Sequence, residues 1–444
     1  MPVTLDERER GDRSDTLVRA PRFLAAFRCI GAACEDHCCG GWQGVDVDAP
    51  TLEQYRRVAD PRLRLRLQLH VVDNYDPAAS PMEAAFIDVA RAGGCPFLSD
   101  EQQCDIQGTL GEQLLPVTCD TFPRLATRVG DRIDLGARLA CPEVARLVLL
   151  DAGPLQFDDG GMDRRLSQRG DSWAETLWDD APEADDPRRH YHDIRARCVS
   201  LLQWPGVPLA TRLRAVVAAL QALSGLGSLD ALTVAWAFGD AENQLARTEA
   251  ARGAESNGMG RDPGPSQPSS VFAGDADHGA DMPWDGLLGP VLARIGVWIA
   301  MRGVPARYRR ALDRMRDGLR LPADSGAPLD RQTGEAYAHA LAAHVRPYLS
   351  TRPRLLENAL VNWVHHSTFP YHPDRTFHED GVILACRHAT LVLHLAGAAA
   401  AEDGLSDALA VETVQAFDKY ADSPDYWDRM LALLRTATPL ASDL

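Results

Sequence analysis

The sequence predicts a mainly α protein: an N-terminal cysteine-rich metal-binding domain with small α+β elements, followed by an all-α helical region. Three observations predict it. Eight of the ten cysteines fall in the first third, at Cys29, Cys34, Cys38, Cys39, Cys95, Cys104, Cys119 and Cys141. Beyond about residue 193, apolar residues recur every three or four positions, the spacing of a buried helix face. The two parts are set apart by an acidic stretch (DDGG, WDDAPEADDPRRHYH) too polar to supply a core of its own.

In chain order, residues 1–20 are polar and mixed in charge and read as a flexible leader, with no apolar signal core. Residues 21–150 form the expected cysteine-rich domain. PRFLAAFRC reads as a short strand or extended entry to the first cysteines. GVDVD, after Trp42, alternates apolar and polar residues, and Thr51 is the expected N-cap of the helix that follows. GGCPFLSDEQQCDIQG is a glycine-bounded loop. A short helix carrying Cys119, two strand-like segments joined at Gly130 and Asp131, and a helix opened by Pro142 complete the domain. Residues 151–250 read as the acidic loop plus a helical region. Residues 251–283, rich in Gly, Pro, Ser and Asp, cannot bury enough apolar surface to order themselves and read as a disordered linker or insertion. Residues 284–444 read as an all-α domain.

At 444 residues the chain is long enough for two or three domains. No apolar run approaches the roughly 20 residues that span a bilayer, so no membrane partner is expected. The expected compartment is the cytoplasm, where thiols stay reduced; this turns the clustered cysteines towards metal rather than disulfides. A net charge of −17 and the absence of a long basic patch argue against a nucleic-acid partner. Lysine occurs once, at Lys419, and every other basic residue is arginine.

Thiolates are soft ligands for zinc or iron–sulfur clusters. The spacing fits no simple site: there is no Cys-x-x-Cys knuckle, and the bacterial ferredoxin run is absent. Cys34 and Cys38 have three residues between them, but Cys39 follows Cys38 directly, and the side chains of adjacent cysteines diverge. Two four-thiolate sites, or one cluster plus structural thiols, both remain open on spacing alone.

FRCIGAACEDHCCGGWQGVDVD, GGCPFLSDEQQCDIQGTLGEQLLPVTCDTFPR, RLACPEVARLVLL and LLENALVNWVHHSTFP together resemble the flagellin lysine N-methylase (FliB-type) family. The N-terminal part is also similar to a wider group of zinc- or iron-chelating Cys-rich proteins. The departures are Trp363, where the family has Tyr, and the low-complexity stretch 251–283. The resemblance implies methyl transfer from S-adenosylmethionine to lysine side chains of flagellin, and a 4Fe–4S cluster, with zinc as the alternative metal. It leaves the oligomeric state open. The rival reading is a metal- or cluster-binding scaffold or redox protein without transferase activity.

The eight clustered cysteines are the candidate metal ligands. Asp120 and Arg124 flank Cys119 and are the catalytic candidates, against a bland reading as a local ion pair. Glu357, Asn358 and Asn362 are cofactor-binding candidates, because Asn358 and Asn362 share a face of an otherwise apolar helix; core hydrogen bonding is the alternative. His365, His366, His372 and His378 lack regular ligand spacing and read as ordinary surface or packing histidines. No Rossmann fingerprint is present, since SGLGSLD has neither the preceding strand nor the full glycine pattern.

Overall fold

A computed structural model describes residues 17–40, 44–76, 79–92, 94–101, 103–130, 132–160, 175–178, 186–226, 228–257, 285–301, 304–321, 331–372 and 374–437. The chain divides into two compact units. One lies within Met1–Ala137 and Gln156–Ala181, the other within Arg138–Leu155 and Pro182–Leu444. The division cuts across the expected 21–150 domain, since residues 138–150, with Cys141, cluster with the helices.

The first unit holds two small sheets. In the larger, strand order is β7-β1-β6-β5-β8, built from β1 (Leu17–Pro21), β5 (Arg124–Val129), β6 (Arg132–Ala137), β7 (Phe157–Gly160) and β8 (Glu175–Trp178). β5 and β6 pair antiparallel across Gly130, whose φ of 61° suits glycine, at the turn expected from the sequence. Two expectations are corrected here. Leu17–Ala20 are not leader: β1 pairs parallel with β6 and antiparallel with β7, and Val18 is buried. Residues 1–16 lie outside the described residues. The acidic stretch is not all loop either, because β7 pairs with β1. Arg19 meets Asp159 at 3.2 Å and Arg22 meets Asp158 at 2.9 Å, so arginines of the entry segment neutralise its carboxylates.

The smaller sheet, β2-β4-β3, comprises β2 (Gly44–Val47), β3 (Val71–Asp73) and β4 (Ala85–Asp88). It follows α1 (Phe23–Ala26) and is accompanied by α2 (Ala49–Arg56), α3 (Pro61–His70), α4 (Val89–Ala92), α5 (Asp105–Leu110) and α6 (Val117–Thr121). Val45 and Val47 point inward, as the alternation requires. The N-cap of α2 is Asp48 rather than Thr51. Its carboxylate accepts from the Thr51 N–H at 2.9 Å, and Pro50 occupies the first turn, where no N–H is needed.

The second unit contains α7 (Pro142–Leu149), α8 (Tyr191–Leu202), α9 (Leu209–Ser224), α10 (Ala231–Asn257), α11 (Asp285–Ala300) and α12 (Ala306–Leu319). These are followed by α13 (Arg331–Ala340), a π-helical turn (Leu341–Val345), α14 (Arg346–Thr351), α15 (Leu355–His366), α16 (Phe377–Ala401), α17 (Asp407–Tyr420) and α18 (Pro424–Ala437). α10 carries residues 251–257 into the stretch expected as linker; 258–283 lie outside the described residues.

α16 is the axis of this unit, packed by α9, α11, α12, α13, α15, α17 and α18. Its start is fixed by a capping box: the Thr376 hydroxyl accepts from the Glu379 N–H, while Glu379 accepts from the Thr376 N–H. By length and composition it is the one helix among the described residues that could cross a membrane, but its apolar stretch is wholly buried inside the unit. α12 and α16 approach backbone to backbone through Gly318 and Gly397. A Cβ on Gly397 would stand 2.5 Å from Met315 Cα, backbone that cannot swing aside. Gly397→Ala is therefore expected to destabilise the helical unit by about 1–3 kcal/mol through overpacking, despite alanine's better helix propensity. Urea denaturation followed by circular dichroism checks this; an unchanged or raised midpoint would contradict the close crossing.

Candidate functional site

Five thiols line one cavity in the first unit. Cys38, Cys39, Cys95, Cys104 and Cys119 surround a space of about 70 Å³, with Val45, Ile87, Val89, Phe97, Ile106 and Leu115 completing an apolar wall. That is several times the roughly 10–15 Å³ needed to admit one water. Local folding brings the sulfurs together. Cys38 and Cys39 open a 3₁₀ turn. The 95–104 loop is closed on itself: Leu98 and Cys104 form a β-bridge, Ser99 N–H donates to Gln103 O at 2.8 Å, and Asp105 N–H donates to Phe97 O at 2.9 Å. Cys104 then caps α5, and Cys119 lies on α6. Arg66 braces the loop from α3 by bonding Asp105 and the Pro96 carbonyl while its guanidinium lies 5.6 Å from the Phe97 ring centre.

The thiols do not share one electrostatic state. The Cys39 S–H is hydrogen-bonded to Cys38 and Cys95, which, with burial, pushes its own ionisation far up. The same bond from Cys39 stabilises a thiolate on Cys95, helped by the Phe97 and Leu98 N–H groups, and brings Cys95 down to about 7. Burial raises Cys104 and Cys119, and neighbouring thiols add to it. All ten cysteines are free thiols. Among the described residues no three His, Cys, Asp or Glu side chains are placed to hold a single metal ion.

The other candidates distribute as follows. Cys29 is exposed; Cys34 is half-buried, close enough to Cys38 to feel its charge; Cys141 caps α7 in the second unit. Asp120 sits on α6 beside Cys119, and the Arg124 guanidinium lies 5.1 Å from the Phe27 ring centre. Glu357 and Asn358 are buried among hydrogen-bonding partners. Glu357 pairs with Arg212 and Arg354, each at 2.6 Å. Asn358 accepts from the Leu155 N–H and donates to the Val148 and Gly153 carbonyls, stitching α15 to the chain after α7. Asn362 is buried on the same helix. His365, His366, His372 and His378 do not converge on a site: Arg195 donates to the His365 carbonyl, and the Ser224 hydroxyl accepts from the His378 N–H.

Sequence reasoning missed the ionic centre of the second unit. Arg387, on α16, is fully buried, with Asp418 at 2.9 Å, Asp422 at 2.6 Å, and the Trp363 and Phe417 rings beside it. The signal was present: ILACRHATLVL places an arginine inside an apolar helical run.

Residues 293–442 match the FliB lysine N-methylase C-terminal domain. Over 146 residues, 32% of the chain, the sequence is 33% identical to proteins named Lysine-N-methylase from Salmonella typhimurium and Salmonella choleraesuis. It is also 30% identical over 167 residues to the Flagellar biosynthetic protein FliU of Salmonella muenchen, covering 95% of that protein. The chain belongs to the FliB-type lysine N-methylase family. The matched region spans about a third (35%) of the two named methylases. No solved structure matches the chain.

In this family member, two buried histidines, His388 and His394, and the half-buried His366 set an acid limit on the helical unit. Burial, with Arg138 and Arg387 nearby, lowers His366 to about 3; burial and Arg212 lower His388 to about 4; burial lowers His394 to about 4. Their native forms are neutral while the unfolded imidazoles titrate near 6.5, so stability is present above that value and lost as pH falls towards 4. Asp380 opposes them in part. Burial raises it to about 6, so its native form takes up a proton before the unfolded chain does and gains stability as pH falls through that window. Each histidine contributes a slope of up to about 1.4 kcal/mol per pH unit. Urea midpoints should therefore drop from about pH 7 to pH 5, and His388→Gln should flatten the drop; a pH-independent midpoint would contradict the buried neutral histidines.

Proposed function

We propose that this protein is a protein-lysine N-methyltransferase that draws its methyl group from S-adenosylmethionine, modifies flagellin, and holds a cysteine-ligated 4Fe–4S cluster in its first unit. The observation that carries the reading is the family match across α11–α18, whose relatives bear the names Lysine-N-methylase and FliU. The thiol cavity supports the cluster. Four sulfurs around one zinc, each at about 2.3 Å, stand only about 3.8 Å apart, and no such single-ion grouping occurs among the described residues. Five thiols around an apolar space with room for several atoms suit a larger, soft-metal group.

Cys38, Cys39, Cys95, Cys104 and Cys119 supply the candidate ligands, one more than a four-thiolate group needs. When bound, such a group cross-links the 3₁₀ turn, the 95–104 loop and α6, and adds a redox-active centre. The transfer itself is a displacement by a neutral amine at a sulfonium methyl, requiring lysine deprotonation and alignment but no electron.

Anaerobic purification with iron, sulfide and zinc analysis, followed by a flagellin methylation assay, tests the reading. The expected protein is brown, absorbs broadly near ~400 nm, and methylates flagellin lysines. Cys95→Ala and Cys119→Ala should lose iron, because a replaced ligand leaves the group incomplete. Cys198→Ala and Cys386→Ala, which truncate buried thiols in helices of the second unit, should keep it. Stoichiometric zinc without iron would remove the cluster; intact iron without methyl transfer would remove the transferase.

A further inference from the structure

Four arginines of the second unit are almost completely buried, and three are answered by polar partners. Arg387 has Asp418 and Asp422, Arg212 has Glu357, and Arg195 donates to the Tyr191 hydroxyl and the His365 carbonyl. The fourth, Arg294 on α11, is only 6% exposed; its buried Nε–H has no acceptor, as at Arg212 and Arg387, but unlike them it has no ion-pair partner among the described residues. Its guanidinium lies 5.0 Å from the Tyr426 ring centre, and no described carboxylate forms an ion pair with it. The nearby Asp425 is bound to Arg429 at 2.9 Å. One turn along the same face of α11, Trp298 Nε1–H is likewise buried without an acceptor. The indole meets the Tyr308 ring edge-on at 5.7 Å, and the Tyr308 hydroxyl meets His394 Nε2 at 3.3 Å.

A buried guanidinium Nε–H left without an acceptor costs free energy, and two unanswered donors one helical turn apart call for one acceptor. We infer that Arg294 and Trp298 form an internal binding site for the carboxylate of a small ligand, floored by the rings of Tyr308 and Tyr426. The donor set is one-sided: a planar cation and an indole N–H, both donors, beside aromatic faces. A carboxylate accepts from both at once and remains charged beside the guanidinium, whereas a cation is repelled. The aromatic faces suit a flat or positively charged remainder of the same ligand. Burial, with Arg429 adding to it, weakens the proton affinity of Arg294, and a bound carboxylate offsets that penalty. That the ligand is the methyl donor, whose amino-acid end carries such a carboxylate, rests on the transferase reading; the site itself does not.

The test compares the purified full chain with Arg294→Met and Trp298→Phe, using S-adenosylhomocysteine, 5′-methylthioadenosine (the same adenosyl thioether without the amino-acid end) and L-methionine as probes. Calorimetry and thermal melts are the readouts. Arg294→Met should weaken S-adenosylhomocysteine binding by about 10–100-fold, the worth of a charge-assisted hydrogen bond, and leave 5′-methylthioadenosine unchanged. Trp298→Phe should act in the same direction, more weakly. The ligand-free melting temperature of Arg294→Met should hold or rise, because a buried charge without a partner is removed. A fall in that melting temperature, with ligand binding unchanged, would overturn the site and assign Arg294 an acidic partner within this chain. If the wild type ignores both adenosyl compounds but is stabilised by L-methionine, and Arg294→Met is not, the carboxylate site stands and the transferase reading fails. If no probe distinguishes the variants, the site is wrong.

Discussion

The helical unit is organised around the burial of Arg387. A guanidinium removed from water costs several kcal/mol unless its hydrogen bonds and charge are met, and no single helix can meet them. Asp418 comes from α17, Asp422 from the turn before α18, and the flanking rings from α15 and α17. The partners are themselves held: the Trp427 indole donates to Asp422 at 2.6 Å, and Arg138 donates to the Asp418 and Asp422 carbonyls where α17 ends. Burial alone would raise Asp422, but Arg387, Arg138 and Trp427 together hold it below the usual carboxylate range. Removing any one member leaves a buried charge without its partner, which ties α15, α16, α17 and α18 to one arrangement.

The first unit follows a different logic. Its core gathers valines, leucines and aromatics from β2, β4, α2, α3 and α5, and Cys95, Cys104 and Cys119 pack directly against it. Thiols thus occupy places that methyl groups fill in an ordinary core. A free cysteine there is a small hydrophobe, so the fold tolerates them as neutral groups. The same placement makes their joint ionisation unfavourable without a cation: Cys95 is eased down by its Cys39 partner while Cys104 and Cys119 are pushed up. Short elements joined by loops bury modest area, and a group linking three of them would contribute most where the apolar core contributes least.

Legibility in the sequence followed the range of the interactions. Helical periodicity beyond residue 193 is local, and α8 to α18 appear as it requires. The hairpin at Gly130 and the proline-opened α7 were equally local. What failed was set by distant partners. Leu17–Pro21 carries little strand signal; it becomes β1 because β6, more than a hundred residues on, offers a parallel edge and β7 covers the other. The acidic residues of β7 are ordered by arginines at 19 and 22. Among the cysteines, the sequence marked the cluster without dividing it, because adjacency of Cys38 and Cys39 says nothing about the 3₁₀ turn that puts both on one wall. Glu357 and Asn358 were visible as polar residues on an apolar helix. Their partners, Arg212 and the backbone around residues 148–155, were not.

The acidity of the chain bears on the proposed chemistry in two opposed ways. A net charge of −17 draws a protonated lysine towards the surface, yet the same field holds the proton on an amine that must lose it before attack. Free lysine ionises near 10.4, so attraction and activation need different surroundings. The interior of the helical unit shows surroundings of the second kind at two histidines. His388 and His394 are lowered to about 4 chiefly by burial, with Arg212 adding to the shift at His388. Those imidazoles show what burial without a facing carboxylate does to a base: it favours the uncharged form. An amine passing from the acidic exterior into comparable surroundings would be driven towards neutrality by desolvation, and a nearby arginine would reinforce that shift. Long-range charge would then gather the substrate while local burial prepares it, with no dedicated general base demanded by the first step.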